Sequence, residues 1–295
     1  MTLLHLAANM QQLINKANTL LEALPYIQRF AGATFVVKYG GSFMDSPDET
    51  VRSGVASDLV FLEAVEIDPV VVHGGGKRIN KALESEGFET KFVNGLRYTD
   101  SATVKVVDRV LSSEINGEIV EMINSLGGVA KGFAGTDIFS CKRHSPESED
   151  YGFVGEVISV HTTPLEDCIS KGITPVISPT AKDSDGQIYN CNADIAAAQT
   201  AIALAAKRLV FMSDVPGLLR NPEDVDSLIP HLDIKEVDQL KQSGIIAKGM
   251  IPKVDSAVSA INAGVDKVSF VDGRINHAVL LEIFTDKGVG TEIVK

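Results

Sequence analysis

Five short stretches carry residue types suited to holding anions. Val70-Val71-Val72-His73-Gly74-Gly75-Gly76 reads as a buried strand that breaks into three glycines, and residues 77–84 can open a helix. Glycine lets backbone N–H groups approach a ligand closely, and a helix N-terminus adds positive potential, so phosphate or carboxylate is the expected guest. The plainer alternative is a tight structural turn. Lys38 closes another β-branched run, Thr34-Phe35-Val36-Val37-Lys38, and leads into Tyr39-Gly40-Gly41-Ser42. Open α/β sheets bind their ligands at such strand ends, although a surface lysine fits as well. Arg97, in Asn94-Gly95-Leu96-Arg97, stands just before a helix start and can grip a carboxylate through two parallel hydrogen bonds. A solvated arginine satisfies the local sequence equally. Asn190, Asn192 and Asp194 alternate with small residues and share one side if that stretch is extended, while Asp194 could merely cap the alanine-rich helix over residues 195–206. Lys253 follows Gly249-Met250-Ile251-Pro252 near a helix N-terminus, where the helix dipole disfavours a cation, so it invites a functional reading.

Familiar alternatives for the glycine run fail on spacing. A P-loop needs a glycine four residues before its Gly-Lys pair and Ser or Thr after the lysine, whereas Gly76-Lys77 is followed by Arg78. A dinucleotide fingerprint needs a third glycine where Ile79 stands. The six histidines have no His-Glu-x-x-His spacing, and Cys141, Cys168 and Cys191 are odd in number and unpaired in sequence, so neither a protein-held transition metal nor a disulfide framework is expected. A reducing compartment fits, cytoplasm or plastid stroma. The net charge of -12 over 295 residues argues against non-specific binding to nucleic acid or an anionic membrane, and an anionic substrate must be held by locally placed cations. No secretion signal or membrane span is expected.

The elements that must position these groups alternate. Residues 9–24 space Leu13, Ile14, Ala17, Leu20, Leu21 and Leu24 as an amphipathic helix stopped by Pro25, whose stripe either packs at home or pairs with another subunit. Residues 48–66 look helical, and Asp100 or Thr99 can cap the long periodic segment over residues 101–126. From residue 133 to 160 the pattern turns into short β-like runs around a polar stretch, a hairpin forming a lid or wall. Residues 173–178 and 207–213 read as strands, followed by strand 267–271, helix 275–284 and the turn 288–291. Such alternation implies a mainly parallel sheet covered on both faces, with a second half beginning near residue 206.

Lys38-Tyr39-Gly40-Gly41, Val72-His73-Gly74-Gly75-Gly76, Asn94-Gly95-Leu96-Arg97, Asn190-Cys191-Asn192-Ala193-Asp194 and Gly249-Met250-Ile251-Pro252-Lys253 occur in the order and spacing of the acetylglutamate kinases of the amino-acid kinase family, which this chain resembles from about residue 24 onward. The resemblance implies an α/β fold, a three-layer αβα sandwich, with residues 31–205 as an acetylglutamate lobe and 206–295 as an ATP lobe. It implies that Lys38 and Lys253 neutralise charge on the transferring phosphoryl group and that Asp194 holds both lysines. Gly41, Gly75 and Gly76 would offer N–H groups, and Arg97, Asn190 and Asn192 would bind acetylglutamate. Ser213, Asp214, Val215, Pro216, Gly217 and Leu218, with Lys248, Gly249 and Met250, would line the nucleotide site. Mg²⁺ would be held by ATP phosphates and water, with no protein ligand. The acceptor carboxylate is already ionised near neutral pH, which fits the lack of any general-base constellation.

The helix in residues 1–30 and the stretch Gly273-Arg274-Ile275-Asn276-His277 resemble the arginine-inhibited hexameric branch. That implies a trimer of dimers linked through the helix, an L-arginine pocket at Tyr26, His277, Glu282, Gly288 and Gly290, and, for photosynthetic hosts, a PII-type signalling partner. Ser42-Phe43, Lys77, Lys248 and the segment Gly135-Thr136-Asp137-Ile138 depart from the family pattern without removing a group assigned a role. An acetylaminoadipate kinase of lysine synthesis and a non-catalytic arginine sensor are the competing expectations.

Overall fold

The computed structural model describes residues 3–40, 48–145, 149–247 and 249–295. Gly41 and Lys248, expected at the substrate and nucleotide, lie outside the described residues, as do Ser42 and Phe43. Among the described residues an eight-stranded sheet forms the centre, in the order β12 (His231–Asp233), β14 (Thr291–Val294), β13 (Lys267–Asp272), β11 (Arg208–Ser213), β1 (Thr34–Tyr39), β2 (Asp68–His73), β8 (Thr174–Ile177) and β5 (Ala130–Phe133). The six strands from β13 to β5 run parallel, and β14 is antiparallel to β13. Register is set at the centre, where Lys38 lies beside Val72 on one side and Phe211 on the other.

Alternate residues of these strands face opposite layers. Val36, Val70, Leu209 and Phe270 meet the alanine-rich helices over residues 193–203 and 250–262 on one face. On the other, Phe35, Val37, Val71 and Met212 meet helices over residues 49–64 and 278–283 and the helical rod over residues 103–125. Burial on both faces explains the unbroken apolar runs that mark β1, β2 and β11 in the sequence. In chain order the helices are α1 (Leu3–Phe30), α2 (Glu49–Ala64), α3 (Gly76–Ser85), α4 (Thr103–Asp108), α5 (Asn116–Ser125), α6 (Gly135–Ile138), α7 (Thr163–Ile169), α8 (Ala193–Ala203), α9 (Val237–Gln242), α10 (Met250–Asn262) and α11 (Ala278–Ile283). A π-helical stretch, Arg109–Ile115, joins α4 to α5 in one rod. Its start is capped by Asp100, whose Oδ1 accepts from the N–H groups of Ala102 (3.0 Å) and Thr103 (2.7 Å).

The hairpin expected over residues 133–160 is present as β6 (Phe139–Arg143) against β7 (Val154–Val160). With β9 (Thr180–Lys182) and β10 (Ile188–Cys191) it closes a small barrel beside the sheet. A second hairpin, β3 (Phe92–Val93) and β4 (Leu96–Arg97), turns at Asn94 and Gly95, whose φ angles of 47° and 83° suit an Asn-Gly turn.

Three expectations need correction. Pro25 does not stop the first helix, which continues to Phe30. Proline removes one N–H donor there, but Leu21, four residues earlier, is largely exposed, and the turn beyond is anchored by Phe30, buried 5.2 Å from the Phe35 ring. Gly135-Thr136-Asp137-Ile138 is one helical turn, not part of the hairpin. Packing forbids a side chain at Gly135, where a Cβ would come within 2.1 Å of the Ser178 and Thr180 carbonyl oxygens. The last helix begins at Ala278 instead of 275, because His277 adopts a left-handed conformation with φ 59°.

Candidate active site

The carboxyl ends of β1, β2 and β10 converge on a cleft of about 280 Å³. Lys38 closes β1. Asp194 lies in the first turn of α8, and Lys253 in the first turns of α10. Lys253 Nζ donates to Asp194 Oδ2 at 2.7 Å, and Lys38 Nζ stands 2.9 Å from Oδ1 as an ion pair. All three are largely buried. Burial alone raises the Asp194 carboxyl, but the two ammonium groups outweigh it and hold the acid at about 2. Burial lowers the Lys253 ammonium and Lys38 adds to the lowering, against the attraction of Asp194 and, further off, Asp214. A fixed anion thus holds two cations side by side at the mouth of a glycine loop.

The helix-cap alternative for Asp194 is overturned. Asn192 is the cap, its Oδ1 accepting from Asp194 N (2.8 Å) and Ile195 N (3.2 Å), which leaves the Asp194 carboxylate for the lysines. The strand ends at Cys191 and the helix begins at Ala193, so Asn190, Asn192 and Asp194 do not alternate along one strand. All three nevertheless line the cleft.

Across the cleft, Gly74 and Gly75 link β2 to α3, which begins at Gly76. Arg97 on β4 is buried; its Nη2 donates to Gly76 O at 3.2 Å, and its plane lies 5.0 Å from the Phe92 ring centre. Arg97 Nη1 is buried with no hydrogen-bond partner. Burial also pushes the guanidinium pKa down. An orphaned buried donor is costly, and a carboxylate entering the cleft would relieve it. Asn190 Nδ2 donates to Thr99 Oγ1 at 3.2 Å, and Thr99 Oγ1 donates to the Arg97 carbonyl at 2.9 Å, so the asparagine and the arginine are braced through one threonine.

The groups expected at the nucleotide lie apart from this cleft. Ser213 ends β11 and folds onto its own loop, its Oγ donating to Val215 O at 3.1 Å. Asp214, Val215 and Pro216 continue that loop. Gly217 has φ 148°, and a Cβ there would meet Thr291 Oγ1 at 2.5 Å. Leu218 is in the core, and its N–H is taken by Thr291 Oγ1 at 2.8 Å. Gly249 and Met250 begin α10, the helix that carries Lys253.

Of the residues expected to form an arginine pocket, Glu282 on α11 reaches its carboxylate to the turn that holds Gly288 and Gly290. Glu282 Oε2 accepts from Val289 N at 2.9 Å, and Gly290 packs on the Phe270 carbonyl. Tyr26 packs edge-on against Phe284 and its hydroxyl donates to Asp286. His277 is held by the fully buried Asp58, 2.6 Å from Nδ1. Sequence reading assigns no site role to His73, which it names only within the glycine-run motif, to Thr99, which it names only as a possible cap, or to Asn116. Asn116 lies inside a helical run with no local signal, and Thr99 acts through a contact with Asn190 that only the tertiary fold creates.

Among the described residues no group of three or more His, Cys, Asp or Glu side chains is placed to hold a metal ion, and no helix is long and apolar enough to cross a membrane. A family model, the amino acid kinase family, matches residues 33–272. The chain belongs to that family. Acetylglutamate kinases are its relatives at high identity: that of Thermoanaerobacter sp. (strain X514) is 47% identical over 96% of this chain and 94% of its own length, and that of Carboxydothermus hydrogenoformans is 45% identical over 96% and 99%. In fold the chain is similar to N-acetylglutamate synthase from Neisseria gonorrhoeae complexed with coenzyme A and N-acetylglutamate (TM-score 0.84, 23% identity, 95% of this chain and 63% of that one) and to Giardia carbamate kinase (TM-score 0.64, 13% identity, 90% and 99%).

Proposed function

We propose that the chain transfers the γ-phosphoryl group of ATP to the γ-carboxylate of N-acetyl-L-glutamate. The observation that carries this reading is the pairing of buried Lys38 and partly buried Lys253 on one aspartate, with Lys38 and Asp194 lining a cleft whose far wall holds a buried arginine with an unpartnered N–H donor. Arg97 takes a carboxylate of the acceptor, with Asn190 and Asn192 beside it. The γ-carboxylate oxygen attacks phosphorus, the bond to the β,γ-bridging oxygen breaks, and the electron pair leaves on ADP. No proton moves. What the site supplies is alignment and charge dispersal, through Lys38, Lys253 and the N–H groups of the glycine loop. Asp194 stays ionised throughout and keeps the two lysines from separating. Mg²⁺ would be held by the ATP phosphates and water, with no protein cage, and would offset charge on those phosphates beside Lys38 and Lys253.

On the same reading residues 31–205 form the acceptor lobe and 206–295 the nucleotide lobe, with residues 213–217 and 249–250 facing ATP and Leu218 packed in the core behind them. The exposed stripe Met10, Leu13, Ile14, Leu20, Leu21 and Leu24 on α1 supports assembly through that helix into a homohexamer. The gathering of Tyr26, Glu282, Gly288 and Gly290 near its end supports L-arginine as a feedback ligand. A PII-type partner and a cytoplasmic or stromal location accompany this reading without bearing on the chemistry. Calorimetric titration of acetylglutamate tests the central assignment: Arg97→Ala is expected to weaken binding by about 10- to 100-fold, the effect of losing a charge-assisted hydrogen bond. Unchanged affinity would remove Arg97 from the acceptor site.

A further inference from the structure

Below the glycine loop lies a polar chain that the reaction as described does not use. His73, the last residue of β2, is fully buried. Its Nδ1 is 3.1 Å from the Gly74 carbonyl oxygen, and its Nε2 is 3.2 Å from Asn116 Nδ2. The same Asn116 nitrogen faces Val176 O at 2.9 Å and Phe133 O at 3.4 Å. Carbonyl oxygens only accept, so the amide must present its NH₂ group to this cluster, and His73 Nε2 must accept from it. The ring proton then sits on Nδ1 and is donated to Gly74 O. Burial reinforces the neutral ring, pushing its pKa down to about 4. Gly132 lacks the side chain that would collide with this amide, since a Cβ there would stand 2.1 Å from Asn116 Oδ1.

The consequence follows from peptide geometry. The Gly74–Gly75 peptide is planar and trans, so its C=O and N–H point in opposite directions. Fixing the Gly74 carbonyl toward the buried His73 turns the Gly75 N–H the other way. That N–H has no acceptor among the described residues, and Gly75 lines the cleft. The π-helical stretch closes the back of the same glycine, where a Cβ would meet Ile115 Cδ1 at 2.4 Å and Leu111 Cδ2 at 2.7 Å. Single π turns are commonly kept at functional sites. This one both backs Gly75 and delivers Asn116, the residue that follows it, to His73.

We propose that Asn116 and His73 are positioning residues for phosphoryl transfer: the Asn116 amide fixes the His73 tautomer, and His73 fixes the Gly74–Gly75 peptide so that the Gly75 N–H is aimed at the transferring group. This rests on the kinase reading above. A misplaced donor weakens the transition state more than it weakens either bound substrate.

The test uses the full chain and initial rates of acyl-phosphate formation, with Lys253→Ala measured in parallel. His73→Asn, whose amide can replace the Nδ1 donor, is expected to keep turnover within about tenfold. His73→Gln, with its donor at the Nε2 position, and His73→Leu are expected to lose about 100-fold in kcat, with KM for acetylglutamate and MgATP each within about twofold. Binding of MgADP with fluoroaluminate, a mimic of the flying phosphoryl group, should weaken in step with kcat. Should His73→Leu fail to fold, the Asn and Gln variants still carry the comparison, being alike in polarity and differing in where the donor sits. Equal turnover of those two, or a loss confined to KM, would overturn the proposal while the loss in Lys253→Ala left the kinase reading in place. A wild-type chain without turnover would overturn both.

Discussion

At the scale of single residues the site depends on a balance of buried charges. Lys253→Ala is expected to lower kcat by about 10²–10³, the effect of removing one preorganised electrostatic group, and to shift thermal unfolding by only a few degrees, because Lys38 still neutralises Asp194; an equal loss of folding would remove its catalytic assignment. Acid sensitivity follows from two groups. Asp194 titrates lower in the folded chain than unfolded, at about 2 against 3.8, so its stabilisation is present above pH 3.8 and is lost as pH falls toward 2. His73 is a base whose folded pKa falls from 6.5 to about 4. The unfolded chain therefore takes up the proton first, and stability drops as pH falls from 6.5 to 4. Each effect amounts to about 2–3 kcal/mol. Urea unfolding at pH 7 and pH 4.5 should show His73→Asn losing less stability across that interval than the wild type. An identical loss would contradict a neutral His73.

At the scale of elements, Gly75 shows how a helix and a loop share one position. Gly75→Ala must displace Leu111 and Ile115, which is expected to cost about 1–3 kcal/mol by overpacking and to lower kcat as the loop shifts; thermal unfolding with initial rates would check both. The strands that carry chemistry were legible because β1, β2 and β11 are buried on both faces and so read as apolar runs. Their ends, Lys38, Gly74–Gly76 and Ser213, could be located for the same reason. The edge strands β12 and β5, with β14 and β9, were not, since they are short and mixed in composition and carry no unbroken apolar run. Pro25 marks the limit of local rules, as tertiary packing of Phe30 outweighs the lost hydrogen bond. Asn192 and Asp194 show the same limit at the site: either could cap α8 on sequence grounds, and the choice falls to the one that is not drawn away by two lysines.

At the scale of the whole molecule the sheet runs continuously from β12 to β5, so the groups that meet at Asp194 come from segments more than two hundred residues apart in sequence, Lys38 and Lys253. Among the described residues the outer face of α1 gathers six exposed large apolar side chains, Leu20 and Leu21 being about two-thirds exposed at 67% and 64%. On the proposed assembly, replacing both by lysine should reduce the mass seen by light scattering from hexamer to dimer and leave basal turnover intact. A hexamer that persists would place the contact elsewhere. The acceptor decides which reaction this site performs. Mg²⁺-ATP-dependent acyl-phosphate formation, measured side by side with N-acetylglutamate and N-acetylaminoadipate and repeated with L-arginine, tests the proposed acceptor most directly. Turnover of acetylglutamate in preference to the longer substrate, suppressed by arginine, is the predicted result. Preference for the longer substrate, or arginine binding without turnover of either, would contradict it.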